Sequence, residues 1–313
     1  MRVHGEGKAY VALACVCVFW GTTYLGIRMA LETFPPAVMV ATRFILSGAI
    51  LTAILLARGA AMPSRRELLH TGLLGFLVLG IGNGSLAWAE TLIPSGLASL
   101  FVTLSPFWLV GIEALIPGGA KIHPPAVIGM VIGLLGTALL VMPGVHAPAS
   151  SGHLMAGFLI CQMGVVAWCL GSILQKRMRF EAHPVVTGAV QQLAAGLGFV
   201  PLAIAIPAHH LAWSVRGVGA IIYLAIFGSI VGYSAFVYAL GKLPVAIFSV
   251  YPYVNAAVAV TLGWIVYREP LGWREAAAML IIFAGVGIVK WASGGAAGVP
   301  SSGEISTTRV SIR

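Results

Sequence analysis

The chain contains no aspartate: all nine of its acidic residues are glutamate. Paired-aspartate metal sites, Walker-type acids and calcium loops are excluded with it. Charge of either sign is scarce, at 9% of 313 residues, against roughly 25% in soluble domains. Cysteine is scarce too. Cys15, Cys17, Cys161 and Cys169 fall inside apolar runs with no Cys-x-x-Cys pair, which reads as reduced packing residues. No Gly-x-x-x-x-Gly-Lys-Ser/Thr loop is present to hold ATP. A membrane-embedded enzyme acting on lipid or peptide would need a His-Glu-x-x-His, an aspartate-rich motif or a Ser/His arrangement, and none can be quoted. The histidines, His4, His70, His123, His146, His153, His183, His209 and His210, sit in loops or at the ends of apolar runs. No histidine relay, metal site or cofactor is therefore expected.

What is present is hydrophobicity, at 59% of the chain. Apolar runs long enough to cross about 30 Å of hydrocarbon need roughly 20 residues each. Such runs cover residues 9–28, 37–57, 68–88, 94–116, 125–142, 153–174, 185–206, 218–239, 244–266 and 273–291. Because hydrocarbon offers no partner to a free backbone N–H or C=O, each run is expected to be a helix. The fold class is an all-α polytopic membrane protein with ten transmembrane helices, and the bilayer itself is the principal partner. Phe34-Pro35-Pro36, Pro117-Gly118-Gly119, His123-Pro124-Pro125, Pro143-Gly144 and Pro207 punctuate the connections. Residues 292–313, rich in Gly, Ser and Thr, read as a disordered tail.

A formal charge of +9 does not point to nucleic acid, because the cations are spread over short loops rather than gathered in a patch. They set topology instead. With the N-terminus inside, Arg2, Lys8, Arg58, Arg65, Arg66, Lys121, Lys176, Arg177, Arg179, Lys242, Lys290, Arg309 and Arg313 fall on the inner side. Only Arg28, Arg216, Arg268 and Arg274 fall outside. This bias places both termini in the cytoplasm.

The apolar runs form two copies of one five-segment unit, residues 9–142 and 153–291. Trp20, Pro36 and Arg43 recur at one constant spacing as Trp168, Pro184 and Gln191. Gly82, Trp88, Ala89 and Pro94 recur, two residues further on, as Gly232, Tyr238, Ala239 and Pro244. An odd number of spans per copy makes the second enter the membrane from the opposite side. Inverted repeats of this kind belong to secondary transporters, whose substrate site lies between the repeats near the midplane.

Particular residues carry a family resemblance. The first span reads Phe19-Trp20-Gly21-Thr22-Thr23-Tyr24 and is followed by Pro35-Pro36 and Ala41-Thr42-Arg43-Phe44. Farther on come Gly82-Asn83-Gly84, Ala89-Glu90, Pro94-Ser95-Gly96-Leu97-Ala98-Ser99 and Phe227-Gly228-Ser229. They are followed by Tyr251, Tyr253, Val254 and Asn255, and by Arg268-Glu269-Pro270-Leu271 before Gly285-Val286-Gly287. Over residues 9–291 this resembles EamA-type transporters of the drug/metabolite transporter superfamily, in a bacterial inner-membrane subgroup. The resemblance implies a ten-helix carrier of two EamA units, not an enzyme, that exports or exchanges amino acids or other small metabolites. The family usually places Pro after the Asn of the ninth span, where this chain has Asn255-Ala256.

Polar groups at membrane depth are the candidate site. Arg43 is the one plainly intramembrane charge, and such a charge costs at least about 2.5–3.5 kcal/mol on insertion scales. It either attracts an anionic group of a substrate or caps helix carbonyls to hold the bundle. Glu90 and Glu113 are candidate proton carriers or counter-ions to Arg43, although both lie near span ends, where a carboxylate is ordinarily solvated. Trp20, Tyr24, Trp88, Trp168, Tyr233 and Tyr251 offer aromatic surface to an amphipathic solute or its ammonium group. Asn83, Gln162, Gln191 and Asn255 offer hydrogen bonds that would be costly facing lipid. The partner expected is a small-molecule substrate, and since two fused repeats supply both walls of a cavity, a monomer suffices.

Overall fold

Apolar sequence in hydrocarbon can satisfy its backbone only within its own segment, and the structure follows that rule throughout. The computed structural model describes residues 3–118, 124–145, 151–178, 181–207, 211–240, 242–243, 251–269 and 271–296, and all regular structure among them is helical. The helices are α1 (Val3–Leu31), α2 (Pro36–Ala57), α3 (Arg65–Glu90), α4 (Ser95–Leu115) and α5 (Pro124–Val145). They continue with α6 (Ser151–Arg177), α7 (Pro184–Ile204), α8 (Val215–Ala239), α9 (Tyr251–Tyr267) and α10 (Trp273–Ala296). Eight of them, α1 to α4, α6 to α8 and α10, are long and apolar enough to cross a membrane. The chain is a multi-pass membrane protein. The expected ninth span begins in 244–250, outside the described residues, as do Arg2, Lys121, His123, His146, Arg179, His209, His210, Pro244, Pro270, Arg309 and Arg313.

Local chemistry sets the helix starts. Proline occupies the first turn of α2 and α7, where a missing N–H costs nothing. Ser64 and Ser214 cap α3 and α8 by accepting from Glu67 N at 3.3 Å and Gly217 N at 2.9 Å. At the other end of the chain the expected tail is corrected in part. α10 carries on through Ala292 to Ala296, and residues 297–313 lie outside the described set.

The helix pairs are arranged so that exchanging the halves maps one pair onto another. α2 crosses α7, and α5 crosses α10. α1 lies against α9 as α6 lies against α4; α3 meets α6 as α8 meets α1; α3 meets α7 as α8 meets α2. At the α2/α7 crossing the matched glycines Gly48 and Gly196 let the backbones close. A Cβ at Gly48 would lie 2.7 Å from Leu193 N, and one at Gly196 would lie 2.6 Å from Ile45 N. Contact this tight is what holds helices together when lipid removes the hydrophobic drive between them.

Two departures from the α-helix flank the centre of the bundle. α3 turns π-helical over Phe76–Ile81 and α8 over Leu224–Val231, at matching places in the two halves. In α8 the Gly232 N–H reaches back five residues to Phe227 O, and in α3 the Gly82 N–H does the same to Leu77 O. Such turns concentrate at functional sites. The third irregularity is the break in α4 between Val102 and Ser105, where Pro106 has no N–H to continue the ladder.

Candidate functional site

The irregular turns surround one cavity of about 150 Å³. By the same measure a single water needs roughly 10–15 Å³, so the space suits a small metabolite. Its wall comes from α1 to α4 and α6 to α9. Trp20, Tyr24, Arg43, Asn83, Trp168, Tyr233, Tyr251 and Asn255 line it, together with Phe44, Leu79, Ser105, Gln192, Gly228 and Ser229 among others. The positions obey the sequence repeat: Trp20 with Trp168, Phe44 with Gln192, Leu79 with Ser229, Asn83 with Tyr233 and Ser105 with Asn255. The chemistry does not.

Arg43 is the charged residue of the lining and is only 5% exposed. Its Nε donates to Ser229 Oγ at 3.0 Å, and its guanidinium lies 4.8 Å from the Phe44 ring centre. Gly228 makes the room, since a Cβ there would come 2.7 Å from Thr23 Cγ2 and 3.2 Å from Arg43 Nη2. Both terminal nitrogens of Arg43 make no hydrogen bond among the described residues, so donors remain for a carboxylate. Gln192 is nearly fully buried with neither amide atom partnered. It is a second unfilled polar group in the wall.

The aromatic side is built around Trp20. Its indole N–H donates to Gly228 O at 3.0 Å, the carbonyl that the π turn of α8 passes over. Its ring stacks on Phe236 at 5.1 Å and meets Tyr251 and Trp168 edge-on at 5.6 and 6.3 Å. Trp168 makes no such bond among the described residues. Asn255, with its amide nitrogen turned inward, donates to Cys17 O at 2.9 Å and Tyr251 O at 3.0 Å, tying α9 to α1.

Other expected residues lie elsewhere. Trp88 packs against the core shared by α1, α2, α3, α7 and α8, with its ring 6.3 Å from that of Phe199, and its repeat partner Tyr238 is exposed. Gln162 patches the break of α4: its Oε1 accepts from Trp108 Nε1 at 2.8 Å and its Nε2 donates to Phe101 O at 3.2 Å. Gln191 is turned away to donate to Gln175 Oε1 at 2.9 Å. Glu113 is half-buried in the last turns of α4, off the cavity. Glu90 corrects an expectation. Of the two readings open to a carboxylate near the end of α3, the ordinary solvated one does not hold: it is 0% exposed, and neither carboxylate oxygen has a hydrogen-bond partner among the described residues. α1 covers it, with Arg28 Nη1 donating to the Glu90 backbone carbonyl at 2.6 Å.

Two residues outside the expected set join the halves at this end of the bundle. Arg268 adopts φ 52°, and the turn carries Glu269 back over the start of α4. There Glu269 Oε1 accepts from Ser95 N and Ser95 Oγ, both at 2.8 Å, and its Oε2 accepts from Gly96 N at 2.9 Å. Beside it, Glu32 of α1 pairs with Arg216 of α8 at 3.3 Å and accepts from the Tyr267 hydroxyl of α9. Arg28 and Arg216 lie 5.8 and 5.7 Å from the Tyr267 ring centre.

Comparison with known proteins agrees with this architecture. An inner membrane transporter of Escherichia coli (strain K12), YedA, is 34% identical over 291 residues, covering 91% of both chains. A protein of Salmonella typhimurium (strain LT2) named a probable amino-acid metabolite efflux pump is 27% identical over 87% of this chain and 91% of its own. One of Streptantibioticus cattleyicolor, named a probable terminal-alkyne amino-acid exporter, is 23% identical over 82% of this chain and 85% of its own. A crystal structure that superposes with a TM-score of 0.64 at 21% identity, over 93% of this chain and 99% of the other, shares the fold. The EamA-like transporter family matches twice, over residues 7–142 and 155–291, and the chain belongs to that family.

Proposed function

We propose that the chain is a secondary transporter that carries a small carboxylate-bearing amphipathic metabolite, of the amino-acid class, across the cytoplasmic membrane by alternating access. Export or exchange is the favoured direction. The observation that carries this reading is Arg43: one buried cation with terminal donors unspent, in an aromatic-walled cavity between the halves. A carboxylate on Arg43 would gain charge-assisted bonds, and the aromatic wall would receive the apolar part or the ammonium group. Relatives whose names specify amino-acid efflux or export support the substrate class.

In this reading the bundle has ten spans, with residues 244–250 completing the ninth, and its two five-helix repeats are inverted. The exchange of helix pairs between halves supports that arrangement. The distribution of Lys and Arg supports cytoplasmic termini, which puts the Glu32–Arg216–Tyr267 cluster and Glu269 at the outer face. One chain supplies every wall of the cavity, so the working unit is a monomer.

The test is counterflow of a panel of radiolabelled L-amino acids in proteoliposomes. At least one should exchange, and Arg43→Gln should weaken that exchange roughly ten- to hundredfold. If no amino acid moves, the substrate class is wrong; if Arg43→Gln exchanges as wild type does, the binding role of Arg43 is wrong. For orientation, a cysteine introduced at Leu271 should react with impermeant maleimide from outside whole cells and one at Arg65 should not; the reverse pattern overturns the topology.

A further inference from the structure

Glu90 is the buried ionisable group that the binding reading leaves unused. Its environment comes from several elements: Tyr24 and Arg28 from α1, Arg43 from α2, Cys161 from α6, and Glu269 from the turn after α9. Three of these, Tyr24, Arg43 and Cys161, also line the cavity. The other two belong to the contacts that close the opposite side, Glu269 over α4 and Arg28 against Tyr267. Glu90 thus stands between the substrate cavity and the ties that join the halves at the outer face.

Among the described residues neither arginine forms a direct ion pair with the Glu90 carboxylate in this conformation. Arg28 spends its Nη1 on the Glu90 backbone carbonyl and lies beside Tyr267, and Arg43 Nε is held by Ser229. A buried carboxyl without a hydrogen bond or a direct ion pair is costly to ionise. Tyr267, beside Arg28, belongs to a cluster open to solvent: its partners Glu32 and Arg216 are 37% and 53% exposed, and surface pairs of this kind contribute little to stability.

Building on the transport reading, we propose that Glu90 is a proton-binding site whose occupancy is tied to closure of the outer face. While the Glu32–Arg216–Tyr267 cluster is closed, Glu90 is a neutral carboxylic acid. When it parts, Arg28 is released and water reaches Glu90. The carboxyl O–H bond then breaks, the proton passes to that water, and the negative charge left on Glu90 is balanced by Arg28 and Arg43. Reclosure returns the proton from water to the carboxylate. Each cycle of opening would in this way carry a proton exchange with the outer side.

Infrared difference spectroscopy of the purified full-length protein in lipid nanodiscs, titrated with pH and without added solute, tests this apart from the choice of substrate. Wild type should show a protonated-carboxyl band at neutral pH. Glu90→Gln should lose that band, and Glu90→Asp, a second variant should the first fail to fold, should move it. Arg216→Ala, which opens the outer cluster, should shift the band's titration to lower pH. A band that survives Glu90→Gln, or its absence from wild type, overturns the proton site. A band that belongs to Glu90 but titrates identically in Arg216→Ala overturns its tie to the outer face. None of these outcomes depends on whether amino acids are carried, so failure here and failure of the transport reading are separable.

Discussion

Arg43 and Gln191 occupy matching places on α2 and α7, and their different fates show how a symmetric frame carries an asymmetric site. Each faces the π-helical stretch of a helix from the other half, α8 for Arg43 and α3 for Gln191. In α8 the facing position is Ser229, whose hydroxyl accepts from Arg43 at 3.0 Å. In α3 the matching position is Leu79, which offers nothing, and Gln191 turns to Gln175 on α6. Phe44 and Gln192, the next pair along, reverse the pattern, with the apolar residue in the first half. Symmetry fixes where side chains stand, while single substitutions within pairs decide which wall is charged, polar or greasy.

The comparison can be broken most directly at Arg43. Arg43→Gln gives both halves the same residue, and losing charged hydrogen bonds worth about 1.5–3 kcal/mol should weaken amino-acid exchange roughly ten- to hundredfold. Adding Gln191→Arg to that variant should not restore exchange, because Leu79 cannot orient a second guanidinium. Restoration in proteoliposome counterflow would show the halves to be interchangeable at this pair.

Glu269 sharpens the contrast between the ends of the bundle. Glu269→Ala removes three hydrogen bonds to the start of α4 and should destabilise the protein by about 1–3 kcal/mol, read as a lower melting temperature in detergent. The tryptophan pair should separate stability from binding. Trp20→Phe loses its bond to Gly228 and should cost about 1 kcal/mol of stability, whereas Trp168→Phe should leave the melting temperature in place and weaken solute binding several-fold. Equal behaviour of the two would remove the asymmetry drawn here. The smallest effect is expected at Glu32→Gln, under about 1 kcal/mol and diminishing with salt, as suits an exposed pair.

That the chain is helical and multi-pass was legible in the sequence because membrane insertion demands length and hydrophobicity, and the landmarks used to pair the halves are proline, glycine and tryptophan residues. The π turns were not legible. Helices apolar on every side carry no hydrophobic phase from which a shift in register could be detected. The burial of Glu90 was not legible for a related reason: nearness to a helix end measures depth along one axis, whereas its burial comes from α1 lying across it. Gln162 and Gln191 need inward partners because an amide facing lipid is costly, and of the two uses open to such groups, binding solute and bonding helix to helix, the structure shows the second, at the break of α4 and at Gln175. Gln192 and Ser229 were findable as the residue beside Gln191 and as the repeat position of Leu79, once the pairing was extended through the whole wall.

A π turn is an added residue absorbed without breaking the helix, and it advances everything after it by about 100° of rotation. In α3 the residues after the turn include Asn83 and Glu90; in α8 they include Tyr233. Deleting one residue from either stretch would leave composition, hydrophobicity and length for spanning almost untouched. It would nonetheless swing Asn83 and Glu90, or Tyr233, round to another face of the bundle. The angular phase of these two helices is therefore a quantity in its own right, set by π turns too small to disturb the span and large enough to decide what the cavity meets.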